Sequence, residues 1–340
     1  MERSLAIDDY EVELSEVYAQ LKDNNSTRIL VQAPDGLKRI AVLVAEKLGQ
    51  DGYEVYLSGS HAWGGCDIAV NEARSLDADT ILHIGHHGFV GARVTNVKVL
   101  FVPVNYTGNF LEPLKKALEE IIRRGYKSIA LGVTIELHKR YGEVEKLASS
   151  VGLEVRTGFL GNFKGLVIGC NYSALPEADA ILIVAGGKFH ALGAALWTRK
   201  IAWCVDPYLR SYGVVDAKPL IARRLRDLSL AMDARSFLIV VSFKTGQLSL
   251  SLAGEIKRRL EQGGRKAVIV VLDDVSRDRL LDFGNYDAYV NTACPRLVID
   301  DPDIFPGPVV NPGELKYVLT GRLENYDSRD LFRLGFALLP

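Results

Sequence analysis

Three of the four cysteines in this chain stand where a thiol could do chemistry: Cys66 in "GSHAWGGCDIAVNEA", Cys170 in "LVIGCNYSALPEADA" and Cys294 in "NTACPRLVIDD". Each follows or ends an apolar, strand-like run, and no two lie within the spacing of a metal-ligand pair. Soft thiolates drawn from remote parts of a chain suit zinc or an iron-sulfur cluster. A structural zinc normally takes four ligands and usually close-spaced pairs, which are missing here. A 4Fe-4S cube held by three thiolates leaves one iron open to a substrate or cofactor. Three unrelated buried thiols remain the plain alternative. Cys204, inside the apolar run "KIAWCVDP", reads as a small core residue. The chain lacks the pattern of a signal peptide, which argues against a disulfide framework.

The elements that must carry these thiols repeat three times. The runs "RILVQAPDG" (28–36), "SIALGVTIE" (128–136) and "FLIVVSFKTG" (237–246) each look like the first strand of an α/β unit. A second echo is "ADTILHIG", "ADAILIVAG" and "YDAYVNTA", with starts 100 and 108 residues apart. A third places Val104, Val205 and Val310 in corresponding positions before Asn or Asp. Between the strands lie helix-period segments such as "FLEPLKKALEEIIRRG", with Leu111, Leu114, Leu118, Ile121 and Ile122 expected on one stripe and Gly125 as the stop. Short β-branched strands alternating with helices predict an α/β fold of three related Rossmann-like domains with parallel sheets in pseudo-threefold arrangement. The expected limits are 1–108 carrying Cys66, 109–212 carrying Cys170 and 213–340 carrying Cys294. One large doubly wound domain with insertions would not predict evenly spaced echoes. In open parallel sheets ligands bind beyond the carboxyl ends of the strands, so each unit offers one thiol at its loop face.

Composition narrows the partners. A 48% hydrophobic content with 24% charge is that of an ordinary globular chain, and the net charge of −1 gives no footprint for nonspecific nucleic-acid or membrane binding. No apolar stretch is long enough to span a bilayer. These features predict a cytoplasmic protein.

The segments "NTACPRLVIDD", "GGCDIA", "LHIGHHG", "IGCNYS", "GGKFHALG" and "SFKTGQ" together resemble the archaeal diphthamide-synthesis enzymes that perform the first step of that pathway, over essentially the whole chain. The resemblance implies a homodimer with a 4Fe-4S cluster held by Cys66, Cys170 and Cys294. It implies reductive cleavage of S-adenosylmethionine between sulfur and the methionine γ-carbon, drawing on an electron donor. The 3-amino-3-carboxypropyl radical so released adds to the imidazole carbon between the two nitrogens of a histidine on translation elongation factor 2. The absence of a CxxxCxxC run agrees with radical chemistry outside the usual adenosyl-radical family.

The methionine end of that cosubstrate carries a carboxylate and an ammonium. Arg296 can fork onto the first, and Asp300 or Asp301 can accept from an amine or a ribose hydroxyl. "SFKTGQ" puts Ser242, Lys244 and Gln247 at a strand end, and "GGKFHALG" puts Gly187 and His190 beside a tight glycine loop. His83, His86 and His87 read as loop structure or as room for the target histidine. Glu136 is left outside the site, because glutamine is expected in its loop. Quinolinate synthase, with three related domains and a three-cysteine cluster, is the nearest rival. A non-catalytic partner subunit of the same pathway is another.

Overall fold

The computed structural model describes residues 4–88, 94 and 96–333, so the outer ends of the expected first and third units, 1–3 and 334–340, lie outside the described residues. Three sheets share one strand order. In the first, Glu54–Leu57, Arg28–Gln32, Thr80–Ile84 and Lys98–Val102 lie side by side, all parallel. The third runs Lys266–Leu272, Ser236–Ser242, Ala288–Asn291, Val309–Val310, again all parallel. The second runs Glu154–Arg156, Ser128–Val133, Ala180–Val184, Ala202–Asp206 and adds Ser211–Val215 antiparallel at its edge. Each sheet thus places its second, first, third and fourth parallel strands in that spatial order.

The architecture is mixed rather than purely parallel. A three-stranded antiparallel sheet joins Ser4–Ile7, Tyr10–Glu13 and Val104–Tyr106, and Phe159–Leu160 pairs with Phe163–Lys164. The central strands are continuous apolar runs because they are covered on both faces: Ile29, Leu30 and Val31, Ile181 to Val184, and Phe237 to Val241 are all 0% exposed. Among the described residues no helix is long and apolar enough to cross a membrane.

The second echo has a physical cause. Asp79, Asp179 and Asp287 each open a third strand and accept, through one carboxylate oxygen, the backbone N–H groups of the two residues at the neighbouring first strand: Thr27 and Arg28 (2.8 and 2.9 Å), Lys127 and Ser128 (3.0 and 2.9 Å), Arg235 and Ser236 (3.0 and 2.9 Å). An ionised carboxylate accepting two amides is held below the usual aspartate range. Burial opposes this at Asp79 and is outweighed by the amides of Arg28 and Thr27; at Asp179 the amide of Lys127 leads, and at Asp287 the Ser236 hydroxyl. Lowered folded pKa values mean that this stabilisation is fully present above the unfolded aspartate value of 3.8 and is lost as pH falls through the folded values. The triple Asp→Asn variant should therefore unfold at lower urea concentration at neutral pH and show a shallower loss of stability on acidification. A pH series of urea midpoints checks this, and an unchanged acid limb would remove the aspartates from the account.

The third echo is out of register. Strand pairing sets Leu182 against Trp203, Val290 against Val310 and Leu82 against Leu100, whereas Val104 pairs with Val12 in the antiparallel sheet. Pro103, lacking an N–H, separates Lys98–Val102 from Val104–Tyr106 and lets the chain change sheets. In the helix Leu111–Arg123 the buried stripe is Leu114, Ala117, Leu118 and Ile121, while Ile122, expected inside, is 41% exposed. Residues 114, 117, 118 and 121 follow the 3.6-residue period, and Ile122, the last position of that pattern, falls at the edge of the stripe.

Candidate functional site

The loops beyond the carboxyl ends of the strands converge on a cavity of about 400 Å³ whose wall includes Cys66, Cys170 and Cys294. Pro34, Gly36 and Leu37 follow the first strand of the first sheet, and Thr134, Ile135 and Glu136 follow that of the second. His86 and His87, Phe189 and His190, and Cys294 with Arg296 follow the three third strands. Among the described residues no three His, Cys, Asp or Glu side chains close around a single metal-ion position. The three thiols ring the space instead.

Burial pushes the thiols up: Cys66 in direction, Cys170 to about 11 and Cys294 to about 12. Their mutual repulsion as thiolates adds to this at Cys170 and Cys294. A cationic centre reverses that logic, since a coordinating thiol is deprotonated outright. One further observation fits a bound group here. The Nδ1 of His190 is buried with no hydrogen-bond partner, on the wall of the cavity. Gly65 has no room for a side chain, because a Cβ would run into the carbonyl of His87.

Cys294 is held from beneath by a buried polar network. The Nδ2 of Asn291 donates to the Cys294 carbonyl (2.9 Å) and to Oδ1 of Asn311 (2.9 Å), and Nδ2 of Asn311 donates to the Pro295 carbonyl (3.1 Å). Oε2 of Glu314 accepts the Asn311 N–H at 3.0 Å and faces Nη2 of Arg224 at 2.7 Å, and both charged side chains are 0% exposed.

Arg296 lies on the wall, 4% exposed, with its guanidinium engaged: Asp300 takes Nε and Nη2 (2.6 and 2.7 Å), Phe189 O accepts from Nη2 (2.7 Å) and the Tyr172 hydroxyl accepts from Nη1 (3.1 Å). Its plane also covers the Phe189 ring at 3.7 Å. Asp301 is exposed, off the cavity wall, and its backbone N–H closes the short helix Leu297–Asp300. Gly187, with φ +63°, also stands off the wall; it donates to Asp206 and accepts from the thiol of Cys204 at 2.8 Å. Cys204 is 3% exposed in its strand, as a core residue.

Ser242 is buried and accepts the Lys244 N–H. Lys244 faces a second, open cleft, where its ammonium meets Asp67 (3.3 Å), Asp274 (3.1 Å) and Asp273 (3.7 Å). Gln247 reaches the site from outside the wall, its Nε2 donating to Sγ of Cys66 at 3.3 Å.

The histidines form a chain. Oε1 of Gln32 accepts from the N–H of Ala69, and Nε2 of the same amide donates to the Asp67 carbonyl, which fixes the amide's orientation. Nδ1 of His83 must then donate to Oε1 (3.0 Å), and its bare Nε2 accepts from Nδ1–H of His86 (2.8 Å). Burial holds His83 down to about 3 and His86 and His87 to about 4, so all three are neutral at pH 7. The free Nε2 of His86 is consequently an acceptor.

Sequence reasoning passed over Glu136. It lines the cavity beside Tyr208, accepting from Oγ1 of Thr134 (2.5 Å) and the Tyr208 hydroxyl (3.2 Å), and burial raises its pKa. The available signal was positional, since Glu136 follows the same strand of its unit as Lys244 does in the third. Trp63, 66% exposed on the wall, had no sequence signal beyond its neighbouring glycines.

The profile of diphthamide synthesis proteins matches residues 33–329. A 2-(3-amino-3-carboxypropyl)histidine synthase of Pyrococcus horikoshii is 35% identical over 322 residues, covering 94% of this chain and 93% of that one. Its counterpart in Methanocaldococcus jannaschii is 29% identical over 309 residues, 87% of this chain and 86% of its own. The crystal structure of Dph2 from Pyrococcus horikoshii with a 4Fe-4S cluster superposes with a TM-score of 0.81 at 33% identity, covering 95% of this chain and 93% of that one. A wall of three thiols and a family match along most of the sequence meet in one conclusion: the chain belongs to the diphthamide synthesis protein family and is an enzyme, of the transferase class.

Proposed function

We propose that the protein transfers the 3-amino-3-carboxypropyl group of S-adenosylmethionine to the imidazole carbon between the two nitrogens of a histidine on translation elongation factor 2. The observation that carries this reading is the presence of Cys66, Cys170 and Cys294 on one cavity wall, one from each group of loops beyond the three sheets. In this reading residues 1–108, 109–212 and 213–340 are three related units in pseudo-threefold arrangement. Each lends one thiolate to a 4Fe-4S cluster. Such a cluster, when bound, supplies the electron for breaking the sulfur to γ-carbon bond and an iron free of protein thiolate for the sulfonium.

The chain's own residues then orient and exclude. Arg296 has five N–H groups, of which four are engaged by Asp300, Phe189 and Tyr172, so it offers a positive field and one Nη1 hydrogen to the methionine carboxylate. The unpartnered Nδ1 of the neutral His190 is a second polar contact for that end. Glu136, near the Tyr208 side of the cavity, complements a cationic ammonium or sulfonium. Trp63 and Phe189 supply aromatic faces for the adenosine. Ser242, Lys244, Gly187 and Asp301 act behind the wall, holding loops in place. A homodimer in the cytoplasm, served by a reductant, completes the reading.

Anaerobic incubation of reconstituted protein with dithionite, labelled S-adenosylmethionine and archaeal elongation factor 2 tests it. Methylthioadenosine and a mass increase on one histidine are the expected products. 5′-Deoxyadenosine as main product would refute the bond choice, and a protein that stays free of iron would point to a non-catalytic partner subunit.

A further inference from the structure

The loop after Ser236–Ser242 is fastened to the Cys66 loop at four places. The Gly246 N–H donates to the Cys66 carbonyl (2.7 Å), and Oγ1 of Thr245 bonds both the N–H and the carbonyl of Ile68 (3.1 Å each). Lys244 pairs with Asp67 (3.3 Å), and Gln247 reaches Sγ of Cys66 (3.3 Å). The approach is close enough that a Cβ on Gly246 would stand 2.7 Å from Cα and Cβ of Cys66. Gln247 does not hang free either, since its own N–H is tied to the Lys244 carbonyl at 2.9 Å. Its amide is therefore delivered to the sulfur by a rigid turn of a different sheet.

We propose that the side-chain amide of Gln247 is a dedicated hydrogen-bond donor to the Cys66 thiolate that raises the reduction potential of the iron-sulfur cluster held there. The inference rests on the cluster reading given under Proposed function. Adding an electron to a cluster increases the negative charge on its thiolate ligands, and an N–H aimed at one of them stabilises that charge. Removing the donor makes reduction harder. Gln247 is a positioning and tuning residue in this account and touches no reacting atom of the substrate.

Redox titration of the anaerobically reconstituted protein, followed by electron paramagnetic resonance, reads the effect directly. Gln247→Met keeps the length of the side chain and removes the donor. It should retain the iron content of the unmodified protein while its midpoint moves to more negative potential, by about 59 mV if the reduction equilibrium changes tenfold for one electron. A fully loaded variant with an unmoved midpoint would overturn the inference. Should Gln247→Met fail to load, the unmodified holoenzyme carrying 15N in its glutamine side-chain amides decides the matter. Its reduced cluster should show a weak 15N hyperfine coupling, and no coupling would be equally fatal. An unmodified protein that takes up no iron defeats the cluster reading and this inference with it, whereas a loaded protein with unchanged potential defeats this inference alone.

Discussion

Cys294→Ala should yield a folded protein that fails to retain a 4Fe-4S cluster and makes methylthioadenosine at less than about one hundredth of the normal rate. The floor comes from outer-shell changes at metal sites, which already cost about 10–100-fold; losing a ligand removes more. Folding should survive because the turn around Cys294 is held through its backbone, by Asn291 on the carbonyl of Cys294 and Asn311 on that of Pro295, and neither bond needs the sulfur. Cys204→Ala is the matching control. Its thiol is buried against the Gly187 carbonyl, away from the cavity, so the variant should keep its iron and lose on the order of 1 kcal/mol of stability for one small group removed from the core. Iron analysis, visible absorbance and coproduct assay on the two variants side by side separate a ligand from a core thiol. Equal iron in both would end the assignment of Cys294.

Arg224→Met should cost about 3–5 kcal/mol of unfolding free energy, the loss expected when one partner of a buried ion pair is removed and the other is left uncompensated. Arg224 sits on the helix Lys218–Met232 with its guanidinium on both oxygens of Glu314 (3.1 and 2.7 Å), on Asp227 (3.0 Å) and on the Val309 carbonyl (2.6 Å). Methionine restores volume but leaves the Glu314 carboxylate with the N–H of Asn311 and the hydroxyl of Tyr326 only. Because Asn311 also supports Pro295, the damage should reach the cluster loop, and iron retention should fall together with stability. Urea denaturation gives the first quantity and iron content the second. A variant that loses stability yet loads iron normally would show that the network and the Cys294 turn are uncoupled. The double variant Arg224→Met with Glu314→Leu should recover part of the stability, since an apolar pair replaces a lone charge.

The shared wall of the three thiols was partly legible because loops beyond strand ends in parallel sheets share one face, but repetition did not place them alike: Cys294 follows the third strand of its sheet, whereas Cys66 and Cys170 precede theirs, and Cys170, expected to end a strand, lies in the loop between Phe163–Lys164 and Ala180–Val184. The echo at Asp79, Asp179 and Asp287 was visible as spelling. Its cause was not, since nothing in a linear sequence states that a carboxylate will reach two amides of a strand about fifty residues upstream. Val104 was misplaced because two β-branched strands separated only by Pro103 read as one run. Arg296 lines the cavity with Cys294, but whether its fork faces a ligand or Asp300 depends on helix geometry: the pair Arg296 and Asp300 is four residues apart on one helical turn, and Asp301 is off the wall. Lys244 looked like a ligand contact for want of any sign that Asp67, Asp273 and Asp274 would surround it. Glu136 was set aside on residue identity; its place after a first strand could not decide the matter, since Lys244 in the matching place of the third unit faces the other cleft.

The clasp between the Cys66 loop and residues 244–247 joins points about 180 positions apart. During synthesis Cys66, the earliest of the three thiols, therefore emerges from the ribosome with neither its amide donor nor Cys294 yet made. Until the last sheet is translated and docks, the Cys66 loop lacks this clasp, so its packed geometry is a product of completed synthesis.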